Sequence, residues 1–204
     1  MTPEIFSESF SFVPIGSIFA LIHQTPEKMK SIFLVLAMFM ATCLFAQIGI
    51  QFPSLTGETL DDKFVTIPSD TNGKMTLLGM ASSEKAEEFL RGWYEPMYNR
   101  FIAKTGMFDD MYDLNIFFVP MFSGGQKIGK GQVMKSMKDN KNKELFPYVL
   151  FFEGNVKEYA DILKMEKKDL PYIYLLDEKG KILYSTSGYF SQKKMDDMDE
   201  FIIK

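Results

Sequence analysis

The sequence predicts an α/β domain: a central mixed sheet flanked by helices, finishing in a β-hairpin and a closing helix. Three observations carry that expectation. Lys74 to Met80 is a nearly continuous apolar run, the pattern of a central strand buried on both faces. After Ser82-Ser83, apolar pairs recur at a four-residue step, Phe89-Leu90, Trp93-Tyr94, Met97-Tyr98 and Phe101-Ile102, which is the stripe of an amphipathic helix. Near the C-terminus, two strand-like runs, Leu170 to Asp177 and Lys181 to Tyr184, flank a turn that places Gly180 where a positive φ is needed.

The remaining elements follow in chain order. Gln51 to Leu60 reads as extended, with a turn expected at Thr56-Gly57. Phe64 to Pro68 is a short strand, and Ser69 to Gly73 a loop. Ser82 and Ser83 are good helix caps, and Glu84, Glu87 and Glu88 suit the first turns, where the helix dipole favours acids. Pro96 lies inside that helix and should kink it. Asp113 to Phe122 is the next strand. Gly131 to Leu145 reads as a weaker helix, with Val133, Met134 and Met137 on one side. Phe146 to Phe152 looks extended. Asn155 is expected to cap a helix through about Met165, with Val156, Tyr159, Ile162 and Leu163 inward. Ser191 caps the last helix, which buries Met195, Met198, Phe201 and Ile202. Asp196, Asp197 and Asp199 are expected on its solvated face.

The chain has 204 residues, of which 46% are hydrophobic and 25% charged, an ordinary globular composition. Its 20 Phe and 9 Tyr suit a sheet. A net charge of -4 argues against nucleic acid as a partner. Lys28-Met29-Lys30, the apolar run Ser31 to Ala46 and a small residue before Gln47 read as a secretory signal peptide over 29–46. The run is shorter than the ~20 residues that span a bilayer. Retention as a membrane anchor, or lipidation at Cys43, are the alternatives. Residues 1–28 read as an upstream extension outside the native start, leaving 47–204 as a single exported domain, periplasmic by expectation. The membrane becomes a partner only if the signal segment is retained or lipidated.

The single histidine is His23 and the single cysteine Cys43, so residues 47–204 contain neither. Thiol–disulfide exchange needs two thiols, one to attack and one to resolve. Zinc sites built on Cys and His, and Ser-His-Asp or Cys-His catalysis, need residues this segment lacks. No Asp-rich calcium loop appears, and Ser123-Gly124-Gly125-Gln126-Lys127 lacks P-loop spacing and reads as a flexible connection. No catalytic residue, cofactor or metal is expected.

Phe52-Pro-x-Leu-x-Gly57-x-x-Leu60, the Gly73-Lys74 lead into the apolar strand, and Leu170-Pro171-Tyr-Ile-Tyr-Leu-Leu-Asp177-Glu-Lys-Gly180-Lys-Ile182 together resemble the extracytoplasmic thioredoxin-like proteins of the TlpA type over roughly residues 50–203. The resemblance implies a thioredoxin-like fold. It also implies that Pro171 is the cis-proline that shapes the family's peptide-binding face. The family's cysteine pair should fall just after Met80, where this chain reads Ala81-Ser-Ser-Glu-Lys-Ala-Glu87. The redox site is therefore missing from a retained fold. A weaker resemblance, carried by Trp93-Tyr-Glu-Pro96-Met97, is to the mitochondrial ATP synthase assembly factors of the thioredoxin superfamily, which also lack the pair.

The favoured expectation is a redox-inactive module that binds a protein or peptide partner in an assembly or chaperone-like role. Its candidate patch is Leu170, Pro171 and Tyr172, with Ser82, Ser83 and Glu84 opposite, exposing apolar surface around Pro171. The competing readings are a structural domain without a ligand, whose equivalent face would be polar, flat or covered by the Ser123–Asn142 insertion, and an enzyme using carboxylates or lysine. Redox chemistry through Cys43 would need the signal segment retained, and a lone thiol cannot resolve its own mixed disulfide.

Overall fold

Strand β3 (Met75–Ala81) is buried along all but its first residue, as an apolar run with no polar face requires. It pairs in parallel with β4 (Leu114–Phe122) and antiparallel with β6 (Tyr172–Leu176). The computed structural model describes residues 48–107, 109–123, 127–139 and 143–203, with the side chains of Lys127 and Ile128 excepted. The upstream extension (1–28) and the signal segment (29–46) lie outside those residues, as does Gly124-Gly125-Gln126 of the expected flexible connection.

The other strands are β1 (Leu55–Thr59), β2 (Phe64–Ile67), β5 (Leu150–Glu153) and β7 (Ile182–Ser187). The seven lie in the order β2-β1-β5-β4-β3-β6-β7, with β2 and β7 at the edges. Side chains alternate between the two faces, so the sheet carries a core on each. Leu78, Met80, Tyr172 and Tyr174 share one core with Leu163 of the segment after helix α3 (Val156–Ile162). Leu77, Ala81, Ile173 and Leu175 share the other with helices α1 (Glu84–Met97) and α4 (Gln192–Ile202). Helix α2 (Lys127–Asp139) covers a smaller cluster built on Leu60, Met134, Val149 and Phe151. The expected mixed sheet, closing hairpin and final helix are all present.

Two glycines set distances. At Gly79 a Cβ would stand 2.7 Å from Leu90 Cδ1, so its absence lets α1 sit close to β3. Gly180 has φ +80 in the β6–β7 turn, as its position in the sequence implied. Ser191 also behaves as expected, its hydroxyl accepting from the Lys194 amide at the start of α4.

Other expectations are corrected. Thr56-Gly57 lies inside β1, paired with Thr66 and Val65. Gly57 serves close packing there, since a Cβ would meet Leu150 Cγ at 2.6 Å. The turn falls instead at Asp61-Asp62, where Asp62 takes φ 61 and the Thr59 amide bonds the Lys63 carbonyl. Residues expected to extend from Phe146 begin as a 3-10 turn, Lys143–Tyr148, which contains Pro147. Helix α2 starts and ends earlier than its apolar spacing suggested. Asn155 makes no side-chain cap, α3 stops at Ile162, and Ile162 is exposed. Lys164, with φ 51, breaks the helix before Met165. The disturbance expected at Pro96 takes the form of a π-helical turn, Tyr98–Ile102, immediately after it.

The acidic face of α4 is only partly solvated. Asp199 is 8% exposed, and its Oδ2 lies 2.5 Å from Arg100 Nη1 of the π turn, with Asp196 Oδ1 at 3.7 Å. Burial pushes the Asp199 carboxyl above its ordinary 3.8, and the Arg100 charge only partly opposes this. The folded chain therefore holds this proton more tightly than the unfolded one. That contribution to stability is complete below 3.8 and is lost as pH rises through the raised value. Asp199→Asn removes the titration. Urea unfolding from below pH 3.8 to neutrality is expected to show wild type losing stability relative to this variant across that interval. A gap that is constant, or that widens in favour of wild type, would contradict the assignment.

Candidate functional site

In open α/β sheets, ligands sit outside the carboxyl ends of the parallel strands. Here that end belongs to β3, β4 and β5. The chain leaves β3 at Ala81, and Ser83 takes an extended conformation (φ -147, ψ 161) before α1 begins. Its Oγ accepts from the Ala86 amide at 3.1 Å, which caps the helix. The same hydroxyl donates to the Lys168 carbonyl at 3.1 Å, with Asp169 Oδ1 at 3.4 Å. Ser82 Oγ donates to that carbonyl at 3.4 Å, and Lys85 Nζ lies 3.7 Å from Asp169 Oδ2. The start of α1 is thereby tied to the loop that leads into β6.

The structure brings the two halves of the expected patch together but does not leave it open. Leu170 is half-buried, Pro171 is buried, and Tyr172 is 8% exposed. The Tyr172 hydroxyl accepts from the Lys167 amide at 2.8 Å. Pro171 and Tyr172 themselves add no exposed apolar surface, because the loop closes onto Ser82 and Ser83. The cis assignment is corrected as well: among the described residues the cis bond is Ile67–Pro68, beside Gly180 at the far end of β6, and not Leu170–Pro171. Pro171 leads directly into the extended strand, and its carbonyl accepts from the Gly188 amide at 2.9 Å.

A third segment completes this end. Gly188, with φ +88, follows β7, and its carbonyl accepts from Trp93 Nε1 at 3.0 Å. Trp93 is fully buried, so α1 fixes this loop from below. Lys194 Nζ donates to the Ser187 and Tyr189 carbonyls at 2.8 and 2.7 Å, and burial lowers its pKa. Tyr189 is exposed and packs against Phe89, with ring centroids 4.3 Å apart.

A groove of about 600 Å³ lies on the other side of the α1 N-terminus, between α1 and α2. Its α1 wall is Ser83, Glu84, Glu87 and Arg91. Its α2 wall is Gly129, Gln132, Val133, Ser136 and Met137. Ala81 and Pro120 to Phe122, where β3 and β4 end, form the floor. Both walls repeat at helical spacing over about two turns. Glu87 and Arg91 pair across one turn at 3.2 Å. Ser83 and Glu84 thus belong to the groove, whereas Leu170, Pro171 and Tyr172 do not line it. The α2 wall had only a faint signal in the sequence, the Val133–Met137 spacing, and nothing local showed that it faces α1 some 40 residues earlier.

Among the described residues no group of three His, Cys, Asp or Glu is placed to hold a metal ion. No helix among them is long and apolar enough to cross a membrane.

A family model described as ATP10 protein matches residues 38–202. No curated protein matches the chain. Among solved structures, the chain is similar to BsSco, a member of the Sco family of cytochrome c oxidase assembly proteins. That likeness has 12% identity and a TM-score of 0.50 over 74% of this chain and 91% of that one. The thioredoxin domain of a thiol-disulfide oxidoreductase from Bacteroides vulgatus matches at 17% identity, covering 76% of this chain and 97% of that one, with a TM-score of 0.47. A thiol:disulfide interchange protein of the thioredoxin family from Chlorobium tepidum TLS matches at 14% identity, 76% and 97% coverage and a TM-score of 0.46. The first of these structures supports the thioredoxin-like fold. The family match falls on the second of the two resemblances noted in the sequence, the one carried by Trp93 and Pro96.

Trp93→Phe keeps the buried ring volume in part but strands the Gly188 carbonyl. A loss of about 1–3 kcal/mol is expected. Urea unfolding must be followed by far-UV circular dichroism, because Trp93 is the single tryptophan. No measurable loss would mean that water replaces the indole and that Trp93 does not fix this loop.

Proposed function

Because the chain belongs to the ATP10 protein family, we propose that residues 47–204 form an exported assembly module that binds a protein partner in the α1–α2 groove without thiol chemistry. The groove carries the reading. It opens where β3 and β4 end, and it combines thioether and aliphatic surface (Met121, Val133, Met137) with the polar rim of Ser83, Glu84, Glu87 and Arg91. That mixture suits a polypeptide, which offers apolar side chains and hydrogen-bonding groups together. The position where thioredoxin-like enzymes carry their cysteine pair holds Ser82 and Ser83, whose hydroxyls are engaged with the Lys168 carbonyl. Export rests on the basic start and apolar run of residues 29–46.

The closed Pro171 loop favours the competing reading, a structural domain without a ligand, for that face alone. The groove is what distinguishes the two. A photo-crosslinking amino acid in place of Gln132, exposed in the α2 wall, is expected to trap a discrete protein adduct in the native cells. The same residue in place of Lys157, exposed on α3, should not. Identical patterns, or none at Gln132, would leave only the structural reading. Redox inactivity has its own test. The full chain should not accelerate the reduction of insulin by dithiothreitol above the blank, and turnover above it would overturn the proposal.

A further inference from the structure

We infer that the groove takes an apolar segment bearing a lysine or arginine, which Glu84 reads; the inference rests on the partner-binding proposal above. The charges along the groove are those of Glu84, Glu87 and Arg91. Arg91 is matched by Glu87 at 3.2 Å. Glu84 stands one turn earlier, exposed, with neither an ion pair nor a hydrogen bond from its carboxylate among the described residues. Lys85, Lys130 and Lys138 are committed elsewhere, and Lys135, exposed on α2, does not line the groove. Lys85 lies toward Asp169. On α2, Lys130 reaches Glu58 at 2.9 Å and Glu153 at 3.8 Å, and Lys138 reaches Asp62 at 2.5 Å. The part of α2 that lines the groove contributes no charge.

A carboxylate with no ion-pair partner among the described residues therefore shares a groove with Met121, Val133 and Met137. A long basic side chain fits that pairing, because its aliphatic stem lies on apolar surface while its head makes a charge-assisted hydrogen bond. An acidic segment would meet the field of Glu84 and gain nothing from the already neutralised Arg91. The occupant is a peptide segment with apolar residues and at least one basic residue within a helical turn of them.

The Gln132 crosslink in the full chain provides the test, with the trapped segment sequenced by mass spectrometry. The segment is expected to contain Lys or Arg within about four residues, one helical turn, of the crosslinked position. Glu84→Lys should cut the adduct yield roughly tenfold and Glu84→Gln roughly threefold. Glu88→Lys, on the same helix but outside the groove, should leave the yield unchanged, and circular dichroism verifies that each variant is folded. A trapped segment without a basic residue, or a yield that Glu84→Lys does not change, overturns the charge reading and leaves partner binding standing. Absence of any adduct at Gln132 in the wild-type background overturns both.

Discussion

Burial of β3 on both faces is the constraint on which the rest depends. A strand without a polar side must lie in the middle of a sheet, and β4 and β6 supply its neighbours. Each fully buried Leu or Met there contributes roughly 1.5–3 kcal/mol, and exposing one face would forfeit several of them together. The bare Cα of Gly79 then admits Leu90, which draws α1 onto the sheet directly from the strand end. The positions of Ser83 and Glu84, and the groove they border, follow from that seat.

The serines at the start of α1 set what this end of the fold does. A hydroxyl at Ser83 is not a leaving group for exchange chemistry but is a good cap and tether, and the structure uses it as both. The tether closes the Pro171 loop, and Pro171 and Tyr172 become core. The open groove lies on the opposite side of α1, between it and α2. Function is therefore read from the site and not from the fold.

Polar contacts across long stretches of chain decide how the helices are placed. Lys130, largely buried, ties α2 to Glu58 on β1 and Glu153 on β5, and so sets the far wall of the groove. Arg100 and Asp199 tie the π turn to α4 through an ion pair with little exposure on the carboxylate side. Charges removed from water to that extent contribute little net stability, and their effect is on geometry. Trp93 shows the complementary case, in which one buried donor and one carbonyl join α1 to the loop after β7.

Local patterning by itself determined the elements. The apolar run at Lys74 to Met80, the four-residue stripe through Phe101, the Gly180 turn and the Ser191 cap each act over a few residues, so their meaning does not depend on distant chain. The absence of cysteine after Cys43 is equally a property of the sequence alone. Tertiary structure decided what lies opposite what. Gly57 reads as a turn until Leu150 is packed against it, and Asp199 reads as solvated until Arg100 covers it. The family resemblance puts Pro171 on an open face, whereas its neighbours bury it, and the α2 wall is set by the crossing of β4 and the ion pairs of Lys130 and Lys138. Those outcomes depend on contacts between residues distant in the chain, which pack against one another only after it has folded and about which a local pattern carries no information.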